Sequence, residues 1–203
     1  MGIIEILGIA ASLSLLAGWR LYLTILATGA AMHFGWLPLP DHLAALQVLA
    51  EPSVLGVAAI GTLAEFFADK IAWIDSAWDA IHSVIRPLGG ALLALALVDA
   101  SDPTWQVVAF LLGGGGALLS HGAKATTRAV VNVSPEPFSN VAVSASEDVA
   151  TGGLLALVIA FPALAIGIAI LLAVAAIAVI WALGRLLRRV RGVLAPDAST
   201  PSV

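Results

Sequence analysis

Long apolar runs alternate with short polar or proline-rich breaks along the chain. A helix needs about 20 mostly apolar residues to cross a bilayer, and the later runs approach that length. The pattern therefore predicts an all-α, polytopic transmembrane helical bundle of about seven membrane segments. The predicted segments are residues 2–17, 21–35, 52–70, 82–100, 103–120, 140–160 and 162–184.

The first two runs are shorter than a full crossing and are separated by Gly18-Trp19-Arg20. They predict either two tilted spanning helices or a re-entrant pair that enters and leaves through the same face. At the other end, the uncharged stretch 149–184 is too long for one crossing at ~1.5 Å per residue. Phe161-Pro162 therefore predicts a tight turn inside it. Residues 41–50 predict a short interfacial helix.

The composition indicates that lipid is the solvent for most of the chain. Hydrophobic residues make up 61% of it and charged residues 11%, whereas a soluble domain carries about 25% charged residues. The absence of cysteine excludes disulfides and thiolate metal sites. The net charge of −4 gives no indication of nucleic-acid binding, and no motif predicts a nucleotide or other cofactor. We expect one membrane domain over 1–192 and a disordered cytoplasmic tail over 193–203.

Basic residues indicate the orientation, because cytoplasmic loops carry an excess of Lys and Arg. With seven crossings, all nine Lys and Arg fall on one side, four of them in the segment 185–191. The opposite loops contain Asp41, Glu51, Asp99 and Asp102. The pattern predicts a membrane protein with its N-terminus outside and its C-terminus in the cytoplasm.

Two similar helix starts predict an internal repeat. Glu51-Pro52-Ser53 and Asp102-Pro103-Thr104 share an acid, a proline and a hydroxyl residue. Each opens a helix that ends in a polar group and is followed by a returning helix. The hairpins 52–100 and 103–160 are therefore candidates for a parallel repeat about an axis along the membrane normal. The alternative is coincidence, because proline is common at helix starts.

Polar residues recur at helical spacing on four predicted helices. The polar residues between 75 and 86 follow the spacing i, i+4, i+7, i+11 and therefore share one face of their helix. On each of the other three predicted helices, the polar residues also recur at helical spacing and share one face. Charges inside a membrane are costly, which makes such faces candidate functional sites. We expect the four faces to surround a water-filled vestibule in the cytoplasmic half and to bind a small ion or polar solute. The candidate residues are Glu65, Asp69, Lys70, Asp75, Asp79, His82, Arg86, His121, Lys124, Arg128, Asn140, Glu147 and Asp148.

Two other interpretations of these residues stay open. The charges can pair off structurally near the headgroups, where Lys and Arg side chains reach the interface. Glu147 and Asp148 oppose this, because they lie ~15 Å along their helix. Alternatively, Asp79-x-x-His82 has the spacing of metal sites in helix bundles. Asp79, His82 and His121 are weak candidate metal ligands, since one such motif arises easily by chance.

A glycine run, 113–116, lies inside an apolar segment. In membranes, small residues let helix backbones approach closely, so the run predicts close helix packing. A hinge or an unwound segment beside a cavity is the alternative.

Two signatures run through the polar segments. The first is Glu65-Phe66-Phe67-Ala68-Asp69-Lys70, followed by Asp75-x-x-Trp78-Asp79-x-x-His82 and Ile85-Arg86-Pro87-x-Gly89. The second is His121-x-x-Lys124-Ala125-x-x-Arg128, followed by Val131-Asn132-x-Ser134-Pro135-Glu136-Pro137-x-Ser139-Asn140 and Glu147-Asp148. Together they resemble the bacterial family labelled domain of unknown function 4126, over roughly residues 5–190. The resemblance implies a small multi-pass membrane protein, located in the bacterial inner (cytoplasmic) membrane, and supplies no activity.

These observations favour a transporter or channel for a small ion or polar solute. In this hypothesis Glu65, Asp69, Glu147 and Asp148 handle protons or cations, and the basic residues either balance the charge or bind an anion. The alternatives are a membrane-embedded enzyme, acting on lipid headgroups or through a metal, and a non-catalytic scaffold or assembly factor. An enzyme is less favoured because no residue spacing predicts a catalytic triad. The lipid bilayer is the expected partner, nucleic acid is not expected, and oligomerisation stays open.

Overall fold

The computed structural model describes residues 3–37, 47–97, 103–132 and 137–194. No strand occurs in these ranges, so the predicted all-α class is confirmed for them. The helices are α1 (Ile3–Trp19), α2 (Leu21–His33), α3 (Pro52–Ala68), α4 (Ala72–Ala96), α5 (Pro103–Val131), α6 (Pro137–Ala160) and α7 (Ala165–Leu194).

Three helices have the length and apolar composition of membrane spans: Pro103–Val131, Phe138–Ala160 and Pro162–Leu186. Helices α1, α2 and α3 are apolar but shorter, with 17, 13 and 17 residues. Helix α4 is long enough, at 25 residues, but one of its faces is charged. The structure therefore indicates a membrane protein, and the count of seven crossings stays a prediction.

Helices α4 and α5 are longer than predicted, because their polar residues continue the same helices. Helix α4 begins at Ala72 rather than near residue 82, and α5 continues to Val131, past its predicted end at residue 120. Helix α7 likewise continues to Leu194, two residues into the predicted tail. The rest of that tail, 195–203, lies outside the described residues.

The connection between α6 and α7 agrees with the predicted turn. The predicted interfacial helix lies largely outside the described residues. Phe161 interrupts the helix, and Pro162–Leu164 forms a 3₁₀ turn before α7, which confirms the turn expected there. Of the predicted interfacial helix, residues 47–50 form a 3₁₀ turn, and residues 41–46 are not described.

Helix α1 lies at the centre of the bundle, in contact with α4, α5, α6 and α7. Its buried side chains Leu13 and Leu16 pack in one apolar group with Leu155 of α6. Its small residues allow closer approach, and the Ser14 hydroxyl donates to the Gly90 carbonyl of α4 at 3.0 Å. Helix α2 packs mainly against α3.

Helices α1 and α2 form a hairpin around one non-helical residue, Arg20 (φ −139°, ψ 83°). The middle of α1 lies beside the start of α7, where the Ser12 hydroxyl donates to the Ala165 carbonyl at 2.7 Å. The tip lies inside the bundle, because Arg20 is 2% exposed and donates to the Ser144 carbonyl of α6 at 3.2 Å. Ser144 lies ~10 Å from the start of α6 by the helical rise. The choice between two spanning helices and a re-entrant pair stays a prediction.

Packing within the two hairpins does not establish the predicted repeat. Helices α3 and α4 make few contacts with each other, and so do α5 and α6, whereas α4 and α5 pack extensively. The two hairpins are therefore open, and the superposition of 52–100 on 103–160 stays a prediction.

Candidate functional site

The polar faces of the helices meet in one group of side chains, which we call the polar cluster. The structure brings together all thirteen predicted residues and adds Arg20, and all of these except Lys70 and Asp148 are buried. The polar cluster comprises Arg20, Glu65, Asp69, Lys70, Asp75, Asp79, His82, Arg86, His121, Lys124, Arg128, Asn140, Glu147 and Asp148.

Asp69 is the centre of the cluster. It follows the last residue of α3 as its C-cap and is fully buried. Its Oδ2 atom is ion-paired with Arg20, with Nζ of Lys124 at 2.8 Å and with Nη2 of Arg128 at 3.7 Å. A carboxylate at a helix C-terminus is opposed by the helix dipole, so these bases compensate an unfavourable position. One acid thereby joins the α1–α2 tip, α3 and α5.

A second group surrounds Arg86 of α4. Its Nη2 donates to Oε1 of Glu65 on α3 at 2.6 Å, and its Nη1 donates to Oδ1 of Asp79 at 2.9 Å. Nη1 also donates to Nδ1 of His121 on α5 at 2.7 Å. Nζ of Lys124 lies 3.6 Å from Oδ1 of Asp79, which connects this group to Asp69. The planar guanidinium suits such multiple bonding, because its donors are fixed in a fork.

Helix α6 contributes the two acids at the edge of the cluster. Nη2 of Arg128 lies 2.8 Å from Oε2 of Glu147. Nη2 of Arg20 lies 2.9 Å from Oδ1 of Asp148 and 3.6 Å from Oε2 of Glu147. Nζ of Lys70 lies 3.3 Å from Oδ2 of Asp148, and these two side chains are 22% and 23% exposed. The cluster is therefore most accessible at the Lys70–Asp148 pair.

Two asparagines connect the charged groups to the helix ends. Oδ1 of Asn140 accepts from Nη1 of Arg128 at 2.6 Å, and its Nδ2 donates to the Asp69 carbonyl at 3.2 Å. Nδ2 of Asn132 donates to Oδ2 of Asp75 at 2.8 Å, where α5 ends and α4 begins. An amide both donates and accepts, so it can join a cation to a carbonyl without adding charge.

The predicted metal ligands Asp79, His82 and His121 are not arranged to hold a metal ion. In the described ranges no three His, Cys, Asp or Glu side chains form such a group. Arg86 contacts both Asp79 and His121, so a cation already occupies the position between them. His82 instead has Nε2 3.2 Å from the Tyr22 hydroxyl.

Hydrogen bonding within the cluster is incomplete. Four buried carboxylate oxygens have no hydrogen-bond partner among the described residues: Oε2 of Glu65, Oδ1 of Asp69, Oδ1 of Asp75 and Oδ2 of Asp79. A buried acceptor left unpaired costs roughly 1–3 kcal/mol. Such atoms are the places where a proton, a water molecule or a small cation is accommodated.

Among the clefts lined by described residues, two open on the sides of the bundle. The larger, about 520 Å³, is apolar, runs between α1, α5 and α7, and is lined in part by Gly113 and Gly115. The smaller, about 360 Å³, is bordered by α5, α6 and α7, and Glu147 is the cluster residue that lines it. The buried cluster residues cover one another, whereas a water-filled vestibule would expose them. Neither cleft is shown to be the predicted water-filled vestibule, which stays a prediction.

Arg20, Tyr22 and Asn132 were not among the predicted site residues. Arg20 forms no helical stripe with other charges, so helical spacing could not single it out. Its position between two apolar runs was the available signal, since an arginine there needs an acidic partner. Tyr22 and Asn132 are uncharged and belong to none of the four predicted sets of polar residues. Asn132 stands in the second signature, whereas Tyr22 was identifiable only from the partner that the fold brings to it.

These features define a class of protein: a small helical bundle whose long apolar helices indicate a membrane protein and whose charges meet in one buried cluster. The chain belongs to the family described as Domain of unknown function (DUF4126), whose model matches residues 7–182. The resemblance carried by the two signatures is thereby confirmed. No curated protein and no solved structure matches the chain.

Proposed function

We propose that this protein is a membrane transport protein that moves a small ion or polar solute through the polar cluster. The observation that carries the proposal is the gathering of buried charges from four helices and the α1–α2 tip in one place. Charges inside a membrane are costly and mark ion or substrate pathways. Nothing as extensive is needed to hold a bundle together, because small residues already do this elsewhere in the fold.

The short helices support transport. In many transporters, helices that end inside the bundle form the substrate site, because their terminal N–H and C=O groups are free to bind. Here α1 and α3 end, and α2 begins, within or beside the cluster. Arg20 and Asp69 are the residues at these ends, and they are paired with each other. The site is therefore built from helix ends, which can move without breaking a long helix.

The exposure of the charges suggests the direction of entry. Lys70 and Asp148 form the accessible edge, and behind them Glu147 is 9% exposed and Asp69 is fully buried. In the proposed mechanism, an ion enters at the Lys70–Asp148 pair and moves inward as the acids exchange partners among Arg20, Arg128 and the incoming charge. The proposed location is the bacterial inner membrane, with this edge facing the cytoplasm.

A non-catalytic scaffold is the second candidate. It is favoured by one specific observation: each acid of the cluster has a base within 4 Å. Tight pairing of this kind also fits a cluster that only fastens helices. The two candidates differ in what happens when one acid is neutralised and the fold survives.

Flux measurements separate the two candidates. In proteoliposomes, we expect the wild type to conduct protons or small cations above the level of empty vesicles. Glu147→Gln and Asp148→Asn keep the shape of the side chain and remove its charge, so they should leave insertion largely intact and abolish flux. Membrane insertion and the melting temperature in detergent are measured on the same samples. The matched control is Glu51→Gln, which removes an exposed carboxylate outside the cluster.

The transport proposal is contradicted if the folded wild-type protein shows no flux of protons, small cations or small anions. Loss of folding in Glu147→Gln and Asp148→Asn, in proportion to any loss of flux, supports the scaffold instead.

A further inference from the structure

The buried part of the polar cluster contains one more acid than base. In the described ranges, the buried bases are Arg20, Arg86, Lys124 and Arg128, and the buried acids are Glu65, Asp69, Asp75, Asp79 and Glu147. The partly exposed Lys70 and Asp148 neutralise each other and leave this difference unchanged. An uncompensated charge in a dry interior is strongly disfavoured, and the group takes up a proton instead.

The histidines do not supply the missing positive charge. Arg86 has donors only, so Nδ1 of His121, at 2.7 Å from Nη1, must be the unprotonated acceptor. His82 donates from Nδ1 to the Trp78 carbonyl at 2.8 Å, and its Nε2 meets the Tyr22 hydroxyl at 3.2 Å. A second proton on His82 would therefore bond to a neutral hydroxyl rather than to a carboxylate.

Asp75 is the acid with the weakest pairing. Its nearest base is Arg128, whose Nε lies 3.9 Å away, whereas the other buried acids have a base within 2.9 Å. Arg128 is also engaged elsewhere, with Oε2 of Glu147 at 2.8 Å. Asp75 is nonetheless fully buried, and the negative charges of Asp69 and Asp79 act on it.

The hydrogen bonds of Asp75 leave one atom free for a proton. Its Oδ2 accepts from Nδ2 of Asn132 at 2.8 Å, and its buried Oδ1 has no partner. The same Nδ2 lies 3.2 Å from the hydroxyl oxygen of Ser76, which is exposed. Asp75 is thus fully buried and yet only one polar contact away from the surface.

We propose that Asp75 is the proton-binding residue of the polar cluster and holds one proton, on Oδ1, in the conformation described here. The O–H bond forms with a proton taken from water at the Ser76–Asn132 surface, and release returns it to water. When it is protonated, the buried part of the cluster is neutral. In so far as this proton is the transported or coupled ion, the inference rests on the proposed transport function; the proton site itself does not.

Infrared spectroscopy of the protein in lipid tests the site without any transport assay. At neutral pH we expect the C=O stretching band of a protonated carboxylic acid, shifted in D₂O. Asp75→Asn imitates the protonated side chain, so the variant should fold and lack the band. Glu51→Gln, which removes an exposed acid, should keep it unchanged. Asp75→Glu should retain the band at a different frequency.

A wild-type spectrum with no such band, or a band unchanged in folded Asp75→Asn or in Asp75→Glu, overturns the inference. Flux measured on the same samples separates the two proposals. Loss of the band in Asp75→Asn, with a wild type that carries no ion, supports the proton site and removes the transport function. Flux that keeps its wild-type pH dependence in Asp75→Asn overturns the coupling of this proton to transport and leaves the transport function standing.

Discussion

The polar cluster and a second region, which we call the small-residue seam, both join α4 and α5 to the α1–α2 hairpin, but by different means. The seam consists of Ser14, Gly18, Gly90, Gly113 and Ala117. There the backbones lie so close that the Ser14 hydroxyl bonds to the Gly90 carbonyl at 3.0 Å. In the cluster, long charged side chains span between helices that make few direct contacts, as Arg86 and Glu65 do between α4 and α3.

The two regions hold the helices of the bundle together by different kinds of interaction. Lipid tails are as apolar as the helices, so association depends on close packing or on polar bonds rather than on the hydrophobic effect. The seam supplies close packing and fixes three helices. The cluster supplies polar bonds where α3 makes few contacts with α4, and where α6 makes few contacts with α5 and α7. In the proposed transport function, this arrangement lets a helix move when a charge changes partners.

The largest stability effect is expected in the cluster, from Arg86→Gln. This change leaves Glu65 and Asp79 buried without their shared base, and breaking a buried pair costs roughly 3–5 kcal/mol. We expect a corresponding loss in the free energy of unfolding, measured by denaturant titration in micelles. The matched control is Arg188→Gln on the exposed part of α7, where no large change is expected. Equal effects of the two substitutions would show that the cluster does not stabilise the fold.

The seam should respond to added volume rather than to charge. A Cβ atom at Gly113 would lie 2.6 Å from the Gly90 carbonyl oxygen and closer still to Cβ of Ala94. We therefore expect Gly113→Ala to cost about 1–3 kcal/mol by overpacking. Gly115→Ala is the matched control, since a Cβ there meets nothing within 4 Å, and it should be neutral or stabilising by up to about 1 kcal/mol. Unfolding in micelles measures both, and equal destabilisation contradicts the close packing of the seam.

For the glycine run, the structure confirms one part of the sequence prediction and refines another. Close packing was expected over residues 113–116, and α5 continues through the run without unwinding. Gly113 is buried against α4, whereas Gly115 is exposed at the larger cleft. Composition identified the run as a packing element, but only the helical phase against a neighbour decides which glycine is in contact.

The polar cluster shows the same division between local and long-range information. Helical spacing predicted that Asp75, Asp79, His82 and Arg86 share a face, and all of them are buried on α4. Spacing gives no information on which acid meets which base, because that depends on helix positions far apart in sequence. The clearest example is Arg20, whose partners lie on α3 and α6. Helical periodicity therefore cannot identify site residues that lie at helix ends and breaks.

Labelling tests the predicted orientation and should leave stability unchanged. The chain has no cysteine, so single substitutions report one position each. We expect a membrane-impermeant thiol reagent to label Ala45→Cys from outside intact cells and Ala195→Cys only after the membrane is opened. Labelling of both from the same side contradicts the seven crossings, and reversed labelling would place the Lys70–Asp148 edge of the cluster outside.

The most direct test of the account compares flux with the fraction of folded protein in variants of both regions. The set contains Glu147→Gln and Asp148→Asn in the cluster and Gly113→Ala in the seam, all in the same vesicles. If the cluster is a transport site, its variants lose flux far beyond their loss of folded protein, whereas Gly113→Ala loses both in proportion. If all three variants fall on one line of flux against folded fraction, the cluster only fastens helices, and the central claim is contradicted.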